Sequence, residues 1–248
     1  MNKLKRSKDR KVTNMVRPGT KMNKKTGERE VVWNAVIANS LGLPSGKSFS
    51  CPDQTDFCES ICYAGKLEVI YKGVSAVLMH NWELLSNADL DTMVALLTDM
   101  VQEFVVESDK RGADKIFRIH WDGDFFSGTY TAAWARVIKA FPGVQFWAYT
   151  RVAASAMFLH GQKFDNLGLY FSGDRDNVTV ATHLESQGIN VAYVEESFIA
   201  GKVAFPKAVR CPENNKALPL ISEKGSACAA CGLCVTGRKS VLFSTTKK

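Results

Sequence analysis

Three cysteines fall within twelve residues in Cys51-Pro-Asp-Gln-Thr-Asp-Phe-Cys58-Glu-Ser-Ile-Cys62, six residues between the first two and three between the last two. Three thiolates do not close a structural zinc site, which takes four protein ligands. They suit a metal centre with one position left for another molecule. The remaining four of the seven cysteines, Cys211, Cys228, Cys231 and Cys234, lie near the end of the chain. Two consecutive gaps of two residues put Cys228, Cys231 and Cys234 around one small volume, and Cys211-Pro212 supplies a remote fourth thiolate. Iron–sulfur is the first choice for that set. Zinc and a reactive dithiol stay open, although zinc ribbons usually bring two separated pairs.

Other chemistry sits where apolar runs turn polar. KIFRIH is followed by Trp121-Asp122-Gly123-Asp124, VQFWAY by Thr150-Arg151, LYF by Ser172-Gly173-Asp174-Arg175, and INVAYV by Glu195-Glu196. Four such tips together describe a polar mouth over an apolar sheet, the form of a small-molecule site. Gly123 permits close backbone approach, and its flanking carboxylates accept hydrogen bonds from an amine. The competing reading is a turn in which Asp124 or Ser127 caps the next helix. Arg151 is suited to clamp a carboxylate or phosphate, or else pairs with Asp122 or Asp174 and only holds the loops. His120 faces the mouth or the core. His80, His160 and His183 fall on helical stretches and receive no role.

The elements that would position these residues alternate. Val31–Ala38 reads as a buried strand, rich in β-branched and aromatic residues. A Gly/Pro/Ser loop from Leu41 then delivers Cys51. Helical spacing runs from Leu67 to about Ser86, and a second helix follows with Asn87 as N-cap. Strands are expected over 115–120, 144–149, 167–171 and 189–194, with helices over 129–140, 153–160 and 178–187. Five strands alternating with helices indicate an α/β fold, with a partial (β/α) barrel preferred. No GxGxxG or P-loop occurs. The expected organisation is a basic segment over 1–30, a barrel core over 31–200 and a cysteine-rich extension over 201–248.

The formal net charge of +7 is local. Residues 1–30 hold eleven Lys/Arg against Asp9, Glu28 and Glu30, a net of +8, while the other residues hold 21 basic and 22 acidic side chains. That concentration suits a nucleic-acid contact or a solvated tail. With 46% hydrophobic residues and no apolar run near the ~20 needed to span a bilayer, the chain reads as globular, with no membrane partner. No apolar segment follows the basic start, so a cytoplasmic location is expected, where clustered cysteines serve metals more often than disulfides.

Three cysteines after the first strand of a partial barrel resemble the radical S-adenosylmethionine (SAM) enzymes. The resemblance implies a [4Fe–4S] cluster on Cys51, Cys58 and Cys62, with SAM on the open iron. Asp122-Gly123-Asp124 stands where that superfamily contacts the SAM amino group. Arg151, Ser172, Asp174 and Glu195 would line the SAM or substrate pocket, the C-terminal cysteines would hold a second, auxiliary [4Fe–4S] cluster, and an electron donor would be required. Cys62-Tyr-Ala, Arg118-Ile-His-x-x-Gly-Asp-Phe-Phe-Ser127, Phe146-Trp-Ala-Tyr-Thr-Arg151 and the closing Cys-x2-Cys-x2-Cys are similar to the phage-encoded gene product 88 family, which implies a bacteriophage source and an infected bacterial host. The resulting expectation is a radical SAM-like enzyme acting on an unknown substrate, possibly a nucleic acid or nucleotide. The competing expectation is a non-catalytic, metal-stabilised nucleic-acid-binding protein. A zinc hydrolase is disfavoured, because three thiolates quench the acidity of a bound water.

Overall fold

A computed structural model describes residues 3–8, 18–33, 37–222 and 225–246. The first elements are a hairpin. Strands β1 (Pro18–Met22) and β2 (Arg29–Trp33) pair antiparallel. Asn23 donates its N–H to the Glu28 carbonyl, and Gly27, at φ +72, allows the reversal. The Gly-bearing turn read at 24–28 is therefore present. The strand expected over 31–38 is not the first of the main sheet, because its described part pairs with 18–22. Residues 34–36 lie outside the described set. β-Branched and aromatic composition announces a strand without naming its partner.

The main sheet begins with β3 (Ser40–Gly42), and four helices follow before its next strand: α1 (Asp56–Ile61), α2 (Tyr63–Ile70), α3 (Lys72–Leu85) and α4 (Leu90–Arg111). The single helix expected from 67 to 86 breaks at Tyr71, whose backbone is extended. The cap of α4 is Asp89, which accepts the Thr92 N–H at 2.8 Å, in place of the expected Asn87. Gly112 closes α4 in the left-handed region, as read.

Next come β4 (Ile116–Asp122), α5 (Gly128–Ala140), β5 (Gln145–Thr150), α6 (Ala153–Gly161), β6 (Leu167–Gly173), α7 (Val178–Ser186), β7 (Asn190–Glu195) and α8 (Phe198–Ala204). The remaining elements are β8 (Val209–Arg210), β9 (Ile221–Ser222), β10 (Gly225–Ser226), α9 (Ala227–Cys231) and β11 (Val241–Ser244). Seven strands form one parallel sheet in the order β3-β4-β5-β6-β7-β11-β8. Its two outer strands do not pair, so the sheet is open. Because β8 and β11 belong to it, the boundary expected at residue 200 runs through one sheet.

Consecutive strands lying side by side follow from right-handed crossovers in one direction. Those crossovers stack α4 on α5, α5 on α6 and α6 on α7. Alternate strand residues then face different layers. Phe117, Ile119, Phe146 and Ala148 share a core with Leu97, Val101, Phe104 and Trp134 of the helices, while Phe171, Val191 and Tyr193 share one with Ala156, Ala181 and Leu184. Trp147, Tyr149, Tyr170 and Ala192 instead pack with Cys211, Cys228, Cys234 and Val235. The C-terminal cysteine segment thus covers the face that the helices leave.

Residues 3–8 are part of this body. Leu4 is buried in the main core, and Asn81 of α3 bonds both the N–H and the carbonyl of Lys5 while donating to the Gly42 carbonyl. Arg6 reaches the Ala38 carbonyl at 2.6 Å and Glu107 at 2.9 Å, and Lys3 pairs with Glu103. Ser7 bridges Ser40 on the outer edge of β3, where Ser40 is buried.

Candidate functional site

The loop carrying Cys51 is seated on the end of β4. Leu43 donates its N–H to the Asp122 carbonyl, Ser50 donates its hydroxyl to Pro44, and the Cys51 N–H bonds the Gly46 carbonyl. Gly123 sits at φ +85, and a Cβ there would stand 2.4 Å from the Ser50 hydroxyl and 2.8 Å from Leu43 Cβ. The close approach that glycine permits at this position is therefore to the cysteine loop itself.

Thr55 caps α1 and ties it to β6. Its hydroxyl accepts the Cys58 N–H at 3.0 Å and donates to Asp174 at 2.6 Å. Asp174, fully buried, also holds the Arg151 guanidinium at 2.6 Å, and the neighbouring Asp176 accepts the Phe57 N–H at 2.8 Å. The Arg151–Asp174 pairing is one of the two sequence alternatives. It still leaves the guanidinium facing Cys58, where it opposes the rise that burial imposes on that thiol. Cys62 is an electrostatic neighbour of Cys58, and its sulfur accepts the Gly65 N–H at 3.3 Å as the cap of α2.

Two acids flank Cys51. Burial pushes its thiol up to about 12, with Asp124 the next cause and Asp122 a smaller one. Asp124 latches two strand ends together, accepting the Phe125 N–H and the Arg151 N–H, both at 2.7 Å. Burial lifts its carboxyl to about 6 against those bonds. Ser127, not Asp124, caps α5, accepting the Tyr130 N–H.

Asp122 behaves differently. Neither of its buried oxygens has a hydrogen-bond donor at bonding geometry, and burial together with the adjacent Glu68 carboxylate pushes it up to about 8. Burial and the neighbouring Glu68 carboxylate both favour the protonated form of Asp122. Glu68 is fixed from the other side by the Ser45 N–H and hydroxyl. Sequence reasoning missed Glu68. The available signal was a single acid inside the apolar run Leu67-Glu68-Val69-Ile70.

The remaining mouth residues stand one strand further on. Glu195 pairs with Arg175, which also bonds Glu196 and lies over the Phe57 ring, 4.5 Å from its centroid. Ser172 offers its carbonyl to Asn177. His120 belongs to the core. It is buried, bonded to the Tyr130 hydroxyl at 2.9 Å, and pushed down to about 3 by burial and then Arg118.

The second cysteine set occupies the opposite setting. Cys211 follows β8 and donates its N–H to Leu242, while α9 carries Cys228 and Cys231 and ends at Gly232, φ +69. The segment is hung from the sheet by its backbone. Tyr170 donates to the Leu233 and Lys239 carbonyls, Gln145 to Val235, and Asn190 to Gly237. Tyr149 packs against Cys234, whose thiol burial pushes up to about 12, with Cys211 and Cys231 adding to the rise. Cys228 and Cys234 pack in one cluster with Tyr149 and Trp147, and Cys211 in another with Tyr149 and Tyr170.

None of the seven cysteines is in a disulfide. Among the described residues, no three His, Cys, Asp or Glu side chains converge as a ready-made metal-binding group. The sets are neighbours and not preformed cages. No helix of the described residues is long and apolar enough to cross a membrane.

A sequence profile of the gene product 88 family matches residues 2–237. The chain belongs to the gene product 88 family. It is 63% identical over 248 residues to the Gene 88 protein of Mycobacterium phage L5, covering the whole of both chains. It is 62% identical over 249 residues to the Gene 88 protein of Mycobacterium phage D29, again over the whole of both. No solved structure matches.

Proposed function

We propose that this gene product 88 protein is a radical SAM-like iron–sulfur enzyme built on a partial (β/α) barrel. The observation that carries the reading is the position of the first cysteine loop. It lies at the C-terminal edge of a sequentially ordered parallel sheet, with Asp122 and Asp124 beside Cys51 and Arg151 beside Cys58. That edge is where such folds place their chemistry.

The donor set suits the group by residue type and number, and binding would have to draw the thiols together. Three thiols on a short loop match a [4Fe–4S] cluster with one iron left for SAM, and four thiols on the opposite face match an auxiliary cluster. When bound, the first cluster supplies the electron for reductive cleavage of SAM, delivered by an electron-donor partner. The protein's part is binding and orientation. Among the described residues no donor stands at bonding geometry to the buried oxygens of Asp122, so its carboxyl would suit the SAM ammonium. Asp124 holds the ends of β4 and β5 in register beneath it, and Gly123 keeps the cysteine loop close. Arg151 and Asp174 anchor α1 and balance the charge at Cys58. Ser172 and Glu195 would border the substrate, and a nucleic acid or nucleotide is the class that the basic N-terminal segment favours.

A second reading, a metal-stabilised nucleic-acid-binding protein without catalysis, draws on the exposed Lys24, Lys25 and Arg29 of the hairpin. One anaerobic experiment separates the two: iron and sulfide per chain, with EPR of the dithionite-reduced protein with and without SAM. About eight irons and one signal that shifts on SAM addition support the enzyme. Two clusters indifferent to SAM sink the radical chemistry, and zinc in place of iron promotes the binding protein.

A further inference from the structure

The fold splits the basic segment of residues 1–30 into two parts. Lys3 and Arg6 are spent on the body of the protein, paired with Glu103 and Glu107 of α4. Residues 7–30 keep eight Lys/Arg against Asp9, Glu28 and Glu30, a net of +5. The described end of that stretch is the β1–β2 hairpin, a sheet of its own that joins no strand of the seven-stranded one. Its five residue pairs run from Pro18 opposite Trp33 to Met22 opposite Arg29. The tip is fixed by its own hydrogen bonds. The Asn23 N–H donates to Glu28, the Gly27 N–H donates back to Asn23, and the Asn23 side chain accepts the Lys25 N–H at 2.9 Å. Lys24, Lys25 and Arg29 are exposed there, and no salt bridge among the described residues takes any of them.

A cationic hairpin outside the main sheet suits an anionic partner with room for two strands. Strands about 4.8 Å apart enter a B-form major groove, about 12 Å wide, and not a minor groove of about 6 Å. The major groove of A-form RNA is too narrow for side chains to read. Single strands are bound over stacking aromatic rings, and residues 22–29 include no Phe, Tyr or Trp. We infer that the β1–β2 hairpin is an arm for duplex DNA, entering the major groove with Lys24, Lys25 and Arg29 on the flanking phosphates. The inference rests on the nucleic-acid class proposed above and on none of the metal chemistry. Phosphate contacts position a duplex without reading it, so binding should tolerate changes of sequence.

The test is fluorescence anisotropy of the purified full chain with one labelled sequence, presented as duplex DNA, single-stranded DNA and duplex RNA across a salt series. Duplex DNA should bind most tightly. Lys24→Ala/Lys25→Ala/Arg29→Ala should weaken that binding about tenfold at low salt and reduce the slope of log affinity against log salt by about 3. Lys110→Ala/Lys139→Ala/Lys207→Ala removes the same charge from other exposed positions and should change little. Gly27→Val keeps every cation but opposes the turn at φ +72, and should erase the preference for duplex over single strand. Equal affinity for the three nucleic acids, a control triple variant as weak as the hairpin one, or a Gly27→Val chain that keeps the preference overturns the arm alone. A chain that binds no nucleic acid at low salt overturns the nucleic-acid class with it. The iron count and the SAM response test the enzyme reading separately from all of these.

Discussion

The two cysteine loops are held by opposite means. The first is fixed by charged and hydroxyl side chains: Asp174 grips Arg151 and Thr55, Asp176 grips the Phe57 N–H, and Glu68 grips Ser45. The second is fixed by side chains of the sheet that reach its backbone carbonyls, over a floor of Trp147, Tyr149 and Tyr170. A loop held by ions responds to loss of a single charge, because the partner left behind is buried and unpaired. A loop held by distributed carbonyl contacts gives way gradually. The first arrangement suits a site that must exchange a ligand, and the second suits one that must stay closed.

The largest effect should come from Asp174→Ala. Arg151 and Asp174 are both buried, and breaking such a pair costs about 3–5 kcal/mol through the uncompensated charge. Urea unfolding should record that loss. Alkylation followed by mass spectrometry should show Cys58 reacting faster while Cys234 is unchanged. Equal exposure of both cysteines would mean that the two loops are not independently held.

Acid provides a probe of the layer beside the first loop. His120 titrates near 3 in the fold against 6.5 when unfolded, so the folded state refuses a proton that the unfolded state takes. A depressed folded value contributes stability above 6.5 that is lost as pH falls toward 3, by roughly 5 kcal/mol at most. His120→Gln should flatten that part of the stability–pH curve. Asp122 and Asp124 have the opposite sign. Their raised values favour the fold at low pH, and that contribution fades as pH climbs from about 4 through 6 and 8. A curve unchanged by His120→Gln would assign the acid sensitivity elsewhere.

A matched pair of glycines sharpens the contrast. Gly123 seats the first loop, and Gly168 seats the second, where a Cβ would meet the Cys234 carbonyl oxygen at 2.4 Å and that of Val235 at 2.5 Å. Overpacking of this kind costs about 1–3 kcal/mol, and Gly123→Ala adds strain at φ +85. Gly123→Ala should raise the alkylation rate at Cys51, and Gly168→Ala that at Cys234, each without the other.

Much of this was legible in the sequence, for a physical reason. The helix-facing strand residues and the helices that cover them obey periodicities of 2 and 3.6, so the alternation from 115 to 194 could be read directly, and the four polar tips do share one sheet edge. What could not be read was partnership. The run Val31-Val32-Trp33 looked like a sheet strand, but its described residues pair with a neighbour 10–15 positions away. Three residues, Ser40 to Gly42, open the sheet instead, too few to carry a pattern. Glu68 escaped notice because its importance comes from Asp122, more than fifty residues on. By composition residues 3–8 belong to a basic segment, yet Leu4 is buried in the apolar core and a single asparagine holds the backbone of Lys5.

The smallest predicted effect is the one that tests the distributed hold most directly. Tyr170→Phe removes one hydroxyl that serves two carbonyls, those of Leu233 at 3.2 Å and Lys239 at 3.0 Å. A neutral hydrogen bond contributes about 1 kcal/mol net, and the loss should stay near that value because Gln145 and Asn190 continue to hold the same segment. Urea unfolding should therefore register a small change, with Cys234 reacting only slightly faster. A loss comparable to that of Asp174→Ala would show that the second loop also depends on one anchor, and the contrast between an ion-held and a carbonyl-held site would fail.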